Sequence, residues 1–156
     1  MGSVEAYQAV LDLDPDDPNA HLEIGLYHER RGEAEKAEKH LVEALKQDPS
    51  SPHILYSYAS LYYAGDDLDT AERLLMRAVT ADASYSPALS ALASIRARRG
   101  DYANSLDYIE KAVAAGEQDV EHFKQALEFA PLRNHPKFCT LLARMGSSAN
   151  PEKGAQ

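Results

Sequence analysis

Along this chain apolar residues recur at helical spacing, in blocks broken by short polar turns, and the block returns every 34 residues. Stretches 18–51, 52–85 and 86–119 align without gaps. Numbered from 1 to 34 within each block, small residues recur at position 8 (Gly25, Ala59, Ala93), position 20 (Ala37, Ala71, Ser105) and position 27 (Ala44, Ala78, Ala112). Larger apolar residues recur at position 24 (Leu41, Leu75, Ile109) and position 28 (Leu45, Val79, Val113). Positions three and four apart share one helix face, so each block reads as helix–turn–helix, with the two helices closest at the small residues. The turn falls near position 15: Arg31-Gly32-Glu33, Ala64-Gly65-Asp66-Asp67 and Arg99-Gly100-Asp101. Glycine suits the left-handed residue that closes a helix, and the acid after it suits the positive N-terminus of the next. In the second block the glycine comes one residue early, which predicts a turn one residue longer.

The edges read as partial copies. Residues 3–15 match positions 20–32 of a preceding block whose first helix is missing. A lone second helix leaves an apolar face uncovered. Either the chain was cut from something longer or another element covers that face. Met1-Gly2-Ser3 is compatible with a cloning remnant, and Ala6 stands where a myristoylation signal wants Ser or Thr. Residues 120–145 read as a degenerate helix pair that caps the array, with Phe123 and Leu127 at positions 4 and 8. Pro131 is expected to stop the first helix of that pair, and Pro136 to start the last. Cys139 falls at position 20 and is expected in the core. Residues 146–156 carry no periodicity and are expected to be a disordered tail.

The 34-residue register resembles the tetratricopeptide repeat (TPR) family, over roughly residues 3–119. That family wants a large residue at 4, leucine at 7, small residues at 8, 20 and 27, tyrosine at 11, an aromatic at 24 and proline at 32. Pro49 meets the last in the first block, and Ala83 and Glu117 replace it in the others. His21, Leu55 and Leu89 at position 4, and His28, Tyr62 and Arg96 at position 11, depart in part from the pattern. The stretch Phe129-Ala130-Pro131-Leu132-Arg133-Asn134-His135-Pro136-Lys137-Phe138 is similar to the close of many bacterial TPR regions, some fused to signalling enzymes. The resemblance implies an all-α fold: a right-handed α-solenoid of antiparallel helix pairs, from a bacterial source.

It also implies a function. In the family the first helix of each pair lines a concave face through positions 2, 5, 9, 12 and 13. In this chain those positions hold Asn19, Leu22, Leu26, Glu29 and Arg30, then His53, Tyr56, Ser60, Tyr63 and Ala64, then Pro87, Ser90, Ser94, Ala97 and Arg98. The expected role is a protein-interaction scaffold that holds a peptide or partner domain in this groove without catalysis. Apolar side chains of the ligand would lie on Leu22, Leu26, Tyr56 and Tyr63. Tyr58 and Tyr62, at positions 7 and 11, read as core. Arg30 and Arg98 read as solvated helix-end charges that complement the dipole ahead of ligand anchors. The carboxylate clamp of chaperone-adaptor TPR domains is missing, since Leu22, Leu26, Ser57, Pro87 and Ala91 stand where it wants Lys, Asn, Asn, Lys and Arg. Two other readings remain: a structural or regulatory segment of a larger enzyme of glycosyltransferase, kinase or cyclase type, and a module that self-associates through the N-terminal half repeat.

Composition narrows the classes. The 156 residues carry 25 acidic and 16 basic side chains. An acidic chain argues against nucleic acid, whose phosphates need a basic face. Acidity is uneven: residues 1–119 hold 22 acids and 11 bases, residues 120–156 hold 3 and 5. With 25 alanines, 18 leucines and no tryptophan the mix favours helix over strand. No apolar run approaches the roughly 20 residues of a membrane span. The expected location is the cytoplasm, or the periplasm where a signal sequence has been removed. No cofactor or metal is expected. The acidic run Asp12 to Asp17 imitates a calcium loop but has Asp17 where the sharp turn needs glycine. Asp66, Asp67 and Asp69 form a second acidic turn. His21 and His28 read as packing residues, His40 and His122 as standing alone, and His135 with Cys139 as two ligands too few for zinc. One cysteine excludes a disulfide framework.

Overall fold

A computed structural model describes residues 2–148, and these form helices and turns with no strand among them. The chain forms two compact units, Met1–Asp82 and Ala83–Gln156. The first holds α1 (Val4–Leu13), α2 (Pro18–Arg30), α3 (Ala34–Gln47), α4 (Pro52–Ala64) and α5 (Leu68–Ala81). The second holds α6 (Ser86–Arg98), α7 (Tyr102–Ala114), α8 (Val120–Gln125), a 3-10 helix (Leu127–Leu132) and α9 (Pro136–Ser148). No helix among the described residues is long and apolar enough to cross a membrane.

Local chemistry sets the helix starts. Side chains of Ser3, Asp17, Ser51, Asp67, Asp101 and Asp119 each accept a hydrogen bond from the amide three residues on, satisfying a donor the helix cannot. Proline in the first turn of α2, α4 and α6 has no such donor to satisfy. Three-residue turns then fold each helix back on its predecessor, so α2 packs on α3, α4 on α5 and α6 on α7.

Close packing follows from side-chain size. Ala37, Ala71 and Ser105, and Ala44, Ala78 and Ala112, are all fully buried. A methyl group built on Gly25 would stand 3.0 Å from the Leu41 Cγ and 3.4 Å from the Ala37 carbonyl oxygen, so α2 and α3 touch through that glycine. Ser105 fills the matching place in α7 and donates from its buried hydroxyl to the Ala93 carbonyl at 2.9 Å.

Several expectations need correction. The second turn is as long as the others. Gly65 takes an ordinary φ of −82°, and Asp66 takes the left-handed place at φ 65° that Gly32 and Gly100 hold at 72° and 74°. Aspartate is among the few side chains that visit this region readily. Helix α8 ends at Gln125, well before Pro131, because Ala126 turns extended, and Pro131 lies inside the 3-10 helix. Residues 146–148 continue α9 as helix, and the rest of the expected tail, 149–156, lies outside the described residues. Cys139 is exposed rather than in the core, and its thiol donates to the Arg133 carbonyl at 3.3 Å. Phe123, Phe129 and Phe138 fill that core instead, with ring centroids 5.2 and 6.1 Å apart in succession.

Candidate interaction surface

In the first unit, α2 and α4 are the first helices of neighbouring pairs, and they touch each other. On α2, Asn19 and Arg30 are exposed, Leu26 and Glu29 half-buried, and Leu22 buried. Leu22 is therefore not an open groove residue. It packs with Leu41, Ala44 and Ile54, and Leu26 lies against the same cluster. Burial pushes the Glu29 carboxyl above its ordinary range, against the pull of Arg30. On α4, His53 is exposed and Tyr56, Ser60 and Tyr63 are half-buried. The Ser60 hydroxyl donates to the Tyr56 carbonyl at 3.0 Å, inside its own helix.

The second unit departs further from the expected groove. Ser90 and Ser94 are buried, at 9% and 4% exposure. The Ser90 hydroxyl donates to Glu117 at 2.9 Å, and the other oxygen of that carboxylate accepts from the Gln118 and Asp119 amides. Ser90 thus fastens the loop after α7. Arg98 is exposed at the end of α6.

The structure also assembles groups that the sequence reading left apart. The hydroxyls of Tyr58 and Tyr62 converge on one oxygen of Glu38, at 3.0 and 2.7 Å, which ties α4 to α3. Burial pushes the Tyr58 hydroxyl well above its usual range, and the hydrogen bonds to Tyr62 and then Glu38 add to it. His40 does not stand alone. Its Nδ1 lies 3.0 Å from the Nδ1 of His21, and its ring stacks at 5.8 Å on His28. The Nε2 of His21 donates to the Pro15 carbonyl at 2.9 Å, so a neutral His21 leaves Nδ1 as acceptor and His40 supplies the proton between them. His28 in turn meets Glu33 at 2.8 Å, and Arg31 and Lys36 meet the same carboxylate at 3.0 Å. Those bonds hold the Glu33 carboxyl down at about 2. The missed signal was positional: positions 4 and 11 of a first helix face position 23 of the second. Among the described residues no three His, Cys, Asp or Glu side chains are arranged to hold a metal ion.

In the second unit α8 and α9 frame a cleft of about 700 Å³. Val120, Phe138 and Leu142 line it, and Lys124 and Arg133 stand at it as cations.

Two family models, both described as tetratricopeptide repeat, match residues 28–95 and 2–52. Together they span residues 2–95, more than half of the chain. No curated protein matches the sequence at a significant level. Solved structures of similar fold include MamA, 18% identical with a TM-score of 0.72, covering 97% of this chain and 89% of that one. Pseudomonas aeruginosa pilF is 20% identical with a TM-score of 0.75, covering 90% and 63%. YrrB, described as a TPR protein with an unusual peptide-binding site, is 18% identical with a TM-score of 0.73, covering 98% and 78%. At these identities the likeness speaks for the fold.

Proposed function

The chain belongs to the tetratricopeptide-repeat family, and from that premise we propose that it binds a peptide or partner domain on the α2–α4 face of its first unit, without catalysis. Proteins of this fold serve as interaction scaffolds. The observation that carries the finer reading is the pair Tyr56 and Tyr63, both half-buried on α4, which touches α2 with its half-buried Leu26, and exposed Arg30 and His53 stand on the same two helices. Tyrosine and arginine combine contact area, limited rotamer freedom and hydrogen bonding, the qualities that concentrate binding energy. The loss of Leu22, Ser90 and Ser94 to burial leaves Asn19, Leu26, Glu29, Arg30, His53, Tyr56, Ser60 and Tyr63 in the first unit and Arg98 in the second.

The test is selection of displayed peptides on the whole chain, followed by binding to Tyr56→Ala/Tyr63→Ala and to Arg30→Glu. The selected peptides should lose at least tenfold in affinity to each variant while the thermal midpoint of Arg30→Glu stays at that of the parent. Peptides that bind both variants as tightly as the parent would place the site elsewhere.

A further inference from the structure

Glu29 is out of keeping with the rest of the α2–α4 face. It lies half-buried in the last turn of α2, seven residues after Leu22 and three after Leu26, so it continues the stripe that those two leucines begin. Among the described residues nothing donates a hydrogen bond to its carboxylate and no cation forms an ion pair with it. Glu33, Glu38 and Glu117 are half-buried too, and each accepts two hydrogen bonds or more. The backbone gives Glu29 no help either, because the last turn of a helix carries the negative end of its dipole.

A carboxylate partly stripped of water and left unpaired costs the free protein stability. Arg30 follows it in the chain but lies about 100° further round the helix, and its charge only partly offsets the burial. A ligand that brings the missing positive charge completes such a group. The wider field favours the same sign. Residues 1–82 hold 17 acids and 7 bases, so the first unit draws cations toward it before contact.

We infer that the ligand of the α2–α4 face is a basic peptide, one that sets a lysine or arginine against the Glu29 carboxylate and an apolar side chain on Leu26. The inference rests on the peptide-binding reading of that face and names the chemistry of the ligand. The ligand's cation replaces water that Glu29 has lost and forms a charge-assisted hydrogen bond in a partly dry site, where such a bond is stronger than in water. Arg30 is left to the carbonyls of the peptide backbone. Glu29 then sets the sign of the charge that the face accepts, while Tyr56 and Tyr63 supply contact area.

The experiment takes peptides selected by display on the whole chain and measures their affinity for the parent, for Glu29→Gln and for Tyr56→Ala/Tyr63→Ala. The selected sequences should share one lysine or arginine at a fixed place. Replacing that residue by norleucine keeps an apolar stem and removes the charge. It should cost about tenfold on the parent and almost nothing on Glu29→Gln. Without ligand, Glu29→Gln should melt at or above the parent's midpoint, because it sheds an unpaired charge. A midpoint well below the parent's would make Glu29 a structural group and overturn the inference. Peptides that need Tyr56 and Tyr63 but share no basic residue overturn it too, and leave the face standing as the binding site. So does a norleucine penalty as large on Glu29→Gln as on the parent. Peptides that bind Tyr56→Ala/Tyr63→Ala as tightly as the parent overturn both readings.

Discussion

At the scale of the residue, His40 shows how a titratable side chain enters the first unit. Burial is the main cause holding its imidazole below the ordinary value, and His21 and His28 of α2 add to it, while Glu43 on its own helix pulls the other way. The unfolded chain takes up this proton near pH 6.5 and the folded chain only at lower pH. Stability from the neutral imidazole is therefore complete above pH 6.5 and declines as pH falls through that value toward the folded pKa. Urea midpoints should drop between pH 7.5 and 5.5, and His40→Gln should flatten that slope; an unchanged slope would assign it to other groups. Glu33 acts in a separate window. Its carboxyl, held at about 2, contributes above pH 4.5 and loses that contribution between there and pH 2. None of this was legible from single residues, since His21, His28 and His40 lie on two helices and meet only once the turn at Gly32 has folded them together. The Glu38 latch was hidden for the same reason. Tyr62→Phe removes its 2.7 Å bond and should cost about 1 kcal/mol in chemical denaturation.

At the scale of the element, the register of small residues was visible because size at positions 8, 20 and 27 is set by backbone approach, which tolerates little variation. Ala78 is fully buried on α5, and Ala78→Leu should cost roughly 1–3 kcal/mol by overpacking, read from the thermal midpoint. The turns were less legible, because glycine marks a left-handed residue only by habit. In the second turn Asp66 takes that conformation and Gly65 does not need its freedom. A methyl on Gly65 would meet only ordinary contacts at 3.6 Å, so Gly65→Ala should stabilise by about 0.4–1 kcal/mol through the unfolded chain. Gly32→Ala, at φ 72°, should destabilise by about 1 kcal/mol or more, and the two changes should move urea midpoints in opposite directions. The expected groove failed in the same way. Leu22 and Ser90 occupy family groove positions, yet local partners, the Ile54 cluster and Glu117, claim them first.

At the scale of the whole molecule, acid should act on the two units unequally. The histidine cluster lies in the first, whereas the second has only His122 and His135, both exposed. Net charge pulls the other way. The first unit carries 17 acids against 7 bases, so proton uptake relieves its self-repulsion and by itself would favour the folded form. Repulsion between exposed charges is spread out and screened by salt, whereas the proton on His40 must enter a half-buried imidazole packed beside His21 and His28, where burial opposes the charge. The local effect should therefore win. Hydrogen exchange at pH 7.5 and 5.5, corrected for intrinsic rates, should show α2 and α3 losing protection while α6 and α7 keep theirs. Uniform loss would point to general electrostatics instead. Protection that rises in α2 and α3 would mean that relief of charge outweighs the cost of charging His40.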